Sequence, residues 1–223
     1  PTLEDTAEIM RAIDAAGADV IELGVPFSDP LADGPVIQRA SERALKGGAS
    51  LGKTLALVAY ARAGVRAPIV LFTYANPVFR MGVEAFVREA ARAGIDGVLM
   101  LDLPIEEAGA FASALEAVGI DLICLLSPTS TDARMAQAAR MGRGFLYVIS
   151  RLGVTGARDR MADDAGALVA RVRRHSTLPV ALGFGLSRPE HVSAACAYAD
   201  AAVVGSALVQ AIADAAQPSR SPR

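Results

Sequence analysis

Seven short apolar runs punctuate the chain, at Val20–Val25, Ile69–Tyr74, Gly97–Leu101, Leu122–Leu126, Phe145–Ile149, Val180–Phe184 and Ala201–Val204. They read as nearly continuous hydrophobic stretches and not as strict alternation, which is the pattern of parallel strands covered on both faces. Between them lie Ala-rich segments with helical periodicity, such as Val83–Ala93, Ile105–Val118 and Thr131–Met141, several of them ended by glycine. Strand and helix therefore alternate, and the sheet is predicted to be parallel. No GxGxxG follows the first strand, so the pattern favours a barrel over an open doubly wound sheet.

The phrases Ala16-Gly-Ala-Asp19, Ala93-Gly-Ile-Asp96 and Val118-Gly-Ile-Asp121 precede successive strands and mark a repeated helix-to-strand turn. Eight strands close a (β/α)8 TIM barrel, whereas seven are counted and residue 1 already leads into a helix. The expectation is thus a single α/β barrel domain over residues 1–216 that lacks the first strand. The stretch 217–223, rich in Ser, Pro and Arg, has no apolar periodicity and is expected to be a disordered tail.

Composition narrows the function more than the fold. A net charge of -2 offers no clustered basic surface for nucleic acid, so a small-molecule partner is expected. Mean hydropathy is +0.36, yet no uncharged stretch approaches the ~18 apolar residues of a membrane span. That hydrophobicity is assigned to core or interface. Cys124 and Cys196 stand far apart, outside any CxxC or metal-ligand spacing, which supports neither a disulfide framework nor a metal site. With no basic-then-apolar leader at the start, a cytoplasmic enzyme is expected.

Glu22 is the first candidate for chemistry, because it lies inside the apolar run Val20-Ile-Glu-Leu-Gly-Val-Pro26. Two readings stand: a charge at the wet end of a strand with an Arg partner, or an acid/base whose pKa is raised by an apolar pocket. Its place toward the carboxyl end of a barrel strand, where such active sites gather, favours the second. The loop that follows, Phe27-Ser-Asp-Pro-Leu-Ala-Asp-Gly-Pro35, carries Asp29 and Asp33, each of which is also compatible with an ordinary turn aspartate.

The run from Glu22 through Phe27-Ser-Asp-Pro-Leu-Ala-Asp-Gly-Pro to Gln38 resembles the signature segment of the tryptophan synthase α-subunit family. Tyr74-Ala-Asn-Pro77, Asp102-Leu-Pro104, Ser127-Pro-Thr129 and Val203-Val-Gly-Ser206 extend the resemblance in family order. The resemblance implies cleavage of indole-3-glycerol phosphate to indole and glyceraldehyde 3-phosphate in tryptophan biosynthesis. It assigns Glu22 proton transfer and places Asp33 against the indole N–H; Asp29 keeps its turn role. It also implies an α2β2 heterotetramer with a β subunit that holds pyridoxal phosphate, with no cofactor in this chain. Asn76-Pro-Val-Phe79 and Asp29 are the segments expected to meet that partner.

Gly183-Phe-Gly185 and Gly205-Ser206 stand where the last two strands hand over to helices, the usual place for a phosphate site in such barrels. The family binds phosphate here, which implies Gly185, Gly205 and Ser206, together with Gly156. Ser150-Arg-Leu-Gly-Val-Thr-Gly-Ala-Arg158 has the composition of a mobile loop, and in the family such a loop closes over the site, implying Thr155 and Gly156 in closure and in positioning of the catalytic carboxylate. Tyr74, Leu99, Leu125, Tyr147 and Phe184, at strand ends, can line an apolar slot for indole, although each also suits an ordinary core. His175 and His191 enter no mechanism. Two rivals remain: another phosphate-binding barrel such as indole-glycerol-phosphate synthase or phosphoribosylanthranilate isomerase, and a non-catalytic regulatory subunit that binds the ligand without cleaving it.

Overall fold

The structure, a computed structural model, describes residues 2–149, 158–183 and 185–216. Thr2 opens it as the N-cap of α1 (Leu3–Ala15), its side chain accepting from the Asp5 N–H while the Asp5 carboxylate accepts from the Thr2 N–H. This reciprocal capping box starts the helix at the first residue able to supply it.

The strands follow the predicted runs. They are β1 (Ile21–Gly24), β2 (Ile69–Thr73), β3 (Gly97–Met100), β4 (Asp121–Leu122), β5 (Cys124–Leu126), β6 (Leu146–Ile149), β7 (Val180–Gly183) and β8 (Ala201–Val203). All pair in parallel, in the orders β1-β2-β3-β4 and β5-β6-β7-β8. The run read as one strand at Leu122–Leu126 is divided at Ile123: its first part pairs with β3 and its second with β6. One segment of chain thereby joins the two sheets, and the described residues supply seven parallel staves in sequence order.

The intervening helices are α2 (Pro35–Lys46), α3 (Leu51–Ala61), α4 (Ala75–Met81), α5 (Val83–Ala93), α6 (Gly109–Glu116), α7 (Asp132–Met141), α8 (Arg158–Arg173), α9 (Pro189–Ala195) and α10 (Ser206–Ala215). α5 has the predicted bounds, and α7 starts one residue later than predicted because Thr131 is its N-cap. The segment expected to be helical from Ile105 is shorter. Pro104 and Ile105 instead accept turn bonds from the Glu107 and Ala108 N–H groups, and Gln137 takes the Ile105 carbonyl, so α6 begins at Gly109.

Two apolar layers result from strand alternation. Ile69, Leu71 and Val98 face the helices in the larger cluster, whereas Val70, Leu99, Ile123 and Tyr147 form a second cluster with Phe72, Leu101, Leu125, Phe145, Ile149 and Val203 packed on it. The second set is the barrel interior. On β1 both Ile21 and Leu23 belong to the helix-facing layer. Glu22, in register with Val70, therefore points inward.

One of the recurrent Gly-x-Asp turns, Gly94-Ile-Asp96, has a double use. Gly94 sits at φ 81° as the left-handed end of α5, and two residues later the Asp96 carboxylate accepts the N–H of Ile69, the first residue of β2, at 2.8 Å. Asp200 does the same for Val180, the first residue of β7, at 2.8 Å. Each carboxylate closes the amino end of a neighbouring strand whose first N–H would otherwise be buried without a partner.

Candidate active site

Glu22 stands inside the barrel with its Oε1 buried and without a hydrogen-bond partner among the described residues. Burial alone raises its pKa from 4.5 to about 7. No Arg pairs with it among the described residues. The Glu22 charge is felt by Tyr147, whose phenol is pushed well above its ordinary value, first by burial and then by that carboxylate. Removing water from a carboxyl group with no compensating donor is the arrangement that lets it carry a proton near neutral pH.

Asp33 reaches the rim by a different route. The loop after β1 turns through hydrogen bonds from the Leu31 N–H to the Asp29 carbonyl and from the Asp33 N–H to the Pro30 carbonyl, and Gln38 of α2 donates to the Asp33 carbonyl at 2.9 Å. The Asp33 Oδ2 accepts the Tyr74 hydroxyl at 3.1 Å, and that same hydroxyl accepts the Ala32 N–H at 3.1 Å. Burial raises the Asp33 pKa, while the Tyr74 hydrogen bond opposes the rise. Asp29 instead accepts from its neighbour Ser28 at 2.5 Å, as a turn residue does.

The expected apolar slot divides. Leu99 and Tyr147 are buried in the barrel interior and Leu125 packs against them, with the Phe72 and Tyr147 rings 6.5 Å apart. Tyr74 is buried too, but outside that cluster: its ring lies on Phe27 at 5.0 Å between centroids. Val70, Phe72, Leu101, Ile149 and Val203 were missed as interior residues; reading every second residue of each run from one known interior position finds them.

Between the last two strands, Gly183 of β7 and Val203 of β8 stand in register. Gly185 and Gly205 lie two residues beyond each. Gly185 has φ 74°, and Gly205 precedes α10 without a side-chain cap, leaving the first N–H groups of a ten-residue helix at Ser206 and after it. Such N–H groups suit an anion. Thr155, Gly156 and Phe184 lie outside the described residues, as do the rest of the 150–157 loop and the 217–223 tail. A cavity of about 450 Å³ lies apart from these residues, between the end of α7 and the α8–β7 turn, lined by Ala139, Gly142 and residues 173–178.

No group of His, Cys, Asp and Glu among the described residues is arranged to hold a metal ion. No helix among them is long and apolar enough to cross a membrane.

The family model described as tryptophan synthase alpha chain matches residues 1–222. The tryptophan synthase alpha chain of Methylococcus capsulatus is 54% identical over 211 residues, covering 94% of this chain and 79% of that protein. That of Geotalea uraniireducens is 50% identical over 210 residues, with the same coverage of both. Among solved structures, the tryptophan synthase α2β2 complex of Pyrococcus furiosus superposes with a TM-score of 0.89 at 41% identity, covering 96% of this chain and 86% of the other. The aminoacrylate-bound tryptophan synthase of M. tuberculosis gives 0.86 at 39% identity, covering 95% and 81%. A fold with seven parallel staves, a buried acid in its interior and identity near one half over most of its length leave one assignment: the chain belongs to the tryptophan synthase alpha chain family, the lyases of tryptophan biosynthesis that cleave indole-3-glycerol phosphate.

Proposed function

We propose that Glu22 and Asp33 perform this cleavage, with the buried, unpartnered Glu22 carboxyl as the observation that carries the reading. The bond that breaks joins indole C3 to the carbinol carbon of the glyceryl phosphate chain. Neutral Glu22 gives its proton to C3, and positive charge develops on the ring nitrogen. Asp33 accepts the ring N–H and offsets that charge where it appears. The ionised Glu22 then takes the proton of the adjacent hydroxyl; the O–H electron pair becomes the aldehyde C=O, the C–C pair returns to the ring, and indole and glyceraldehyde 3-phosphate leave. One carboxyl gives and regains one proton, so the enzyme is restored. A pKa of about 7 keeps both forms accessible at neutral pH.

Leu99, Leu125 and Tyr147 supply the apolar wall for the ring, and the N–H groups at Gly185, Gly205 and Ser206 receive the phosphate. Thr155, Gly156 and Phe184 are assigned to closure, phosphate and ring by resemblance. Alpha chains of this family carry no cofactor, and pyridoxal phosphate belongs to the β subunit. This chain is proposed to join such a subunit in an α2β2 complex through the rim where Leu31 and Phe79 lie exposed, and to work in the cytoplasm.

The test is release of indole from indole-3-glycerol phosphate by the purified chain, with and without β subunit. Release by the wild type that is lost in Glu22→Gln and lowered to a small, measurable residue in Asp33→Asn is the expected result. A folded wild type that binds the substrate but releases no indole even beside its partner would establish the regulatory alternative instead.

A further inference from the structure

We propose that Tyr74 and Asp102 are positioning residues that aim the Asp33 carboxylate, Tyr74 through its hydroxyl and Asp102 by holding the start of α4 from which Tyr74 projects. The inference rests on the reading of Asp33 given above.

Asp33 lies on a loop, whereas Glu22 lies on a strand, so only Asp33 needs a tie to hold it at the rim. Its backbone is held by Gln38 and Pro30, but among the described residues the carboxylate itself has one tie: the Tyr74 hydroxyl donates to Oδ2 at 3.1 Å. Oδ1 accepts no hydrogen bond from the described residues and remains for a ring N–H. The hydroxyl also accepts the Ala32 N–H at 3.1 Å, so it grips both the side chain and the backbone beside it. A carboxylate with one oxygen anchored and the other free is oriented before the substrate arrives.

Tyr74 is itself held. It is the last residue before α4 and caps that helix with no side-chain hydrogen bond of its own. The capping oxygen comes from the next strand: Asp102, just beyond β3, accepts the Ala75 N–H at 2.7 Å. Thr73, fully buried, adds a hydrogen bond from its hydroxyl to the Tyr74 carbonyl at 3.1 Å. The exits of three consecutive strands, β1, β2 and β3, are thereby linked in a line that ends at the reacting ring. Tyr74 packs on Phe27 and not in the interior cluster, which marks its hydroxyl, more than its ring, as the functional part. Its donation also opposes the rise that burial imposes on the Asp33 pKa.

The test measures kcat and KM for indole-3-glycerol phosphate with the full chain and its β subunit. Tyr74→Phe keeps the ring and loses the grip; kcat is expected to fall about tenfold or more while KM moves less than about threefold, because the N–H contact strengthens as the ring becomes positive. Asp102→Ala should lower kcat about fivefold, and Asp102→Asn, which still offers an oxygen to Ala75, should recover most of it. The double variant Tyr74→Phe/Asp33→Asn should be no slower than Asp33→Asn alone, since the two act as one unit. Multiplying losses in the double variant, a Tyr74→Phe enzyme within twofold of wild type, or equal losses in the two Asp102 variants would each overturn the proposal. Absence of indole release by the wild type would overturn the underlying reading instead. Melting temperatures of all variants are recorded alongside, and the Asp102 pair decides the matter even where Tyr74→Phe is poorly folded.

Discussion

Replacing Glu22 by glutamine is expected to stabilise the folded chain in alkaline solution while ending its chemistry. Burial lifts the Glu22 pKa from 4.5 to about 7. Between those values the folded state holds a proton that the unfolded chain has released, so stability falls as pH rises through that window. At about 1.4 kcal/mol for each pH unit, the full cost above pH 7 is about 3 kcal/mol, absent below pH 4.5. Glutamine cannot ionise and escapes it, although it retains whatever constant cost an unpartnered polar group carries at that position. The quantity to measure is therefore the pH-dependent part of the difference. Urea unfolding of wild type and Glu22→Gln from pH 4.5 to 8.5 should show the variant gaining about 3 kcal/mol on the wild type, and melting curves about 6–12 °C for a chain of this size. A difference that stays constant with pH, or that runs the other way, would refute the claim that Glu22 is held in a dry, unpaired setting.

Gly183 leaves room for the Tyr147 ring: a Cβ there would lie 2.8 Å from Cε1 and Cζ of that ring. Gly183→Ala should cost about 1–3 kcal/mol in urea unfolding and lower indole release, and adding Tyr147→Leu should recover stability but not the ring wall; additive losses in the pair would contradict the clash. Asp96→Ala leaves the buried Ile69 N–H without its acceptor. It should cost about 1–3 kcal/mol by the same measurement, and no change would show that water replaces the carboxylate. Phe79, 54% exposed on α4, should matter to assembly: Phe79→Ser is expected to weaken β-subunit binding about tenfold by calorimetry, and unchanged affinity would move the interface elsewhere.

The strands and most helices were legible because parallel, doubly covered strands give continuous apolar runs and because Thr131 and Gly94 are strong local end signals. Glu22 was legible as a charge that breaks such a run. What lay beyond reach was pairing between segments distant in the chain. Asp102 stands 27 residues from the Ala75 N–H it accepts and Tyr74 stands 41 residues from Asp33, and neither spacing carries a signal in a chain read locally. The run Ile69–Tyr74 marks Tyr74 only as a strand-end ring suited to an indole wall; its contacts with Phe27 and with Asp33 come from chain far away. The shortening of α6 escaped for a similar reason: Gln137 and the Arg134 partner of Glu106 act on Ile105 and Glu106 from α7.

The two carboxylates rest on supports of unequal strength. Glu22 belongs to a strand paired along its whole length with β2, while the Asp33 carboxylate, on a loop, is held among the described residues by one phenol. Gentle warming or dilute urea should thus separate the acid from its partner before any stave of the barrel parts. The upper temperature limit of turnover would then be set by a tyrosine hydroxyl at the rim, some way below the temperature at which the protein melts.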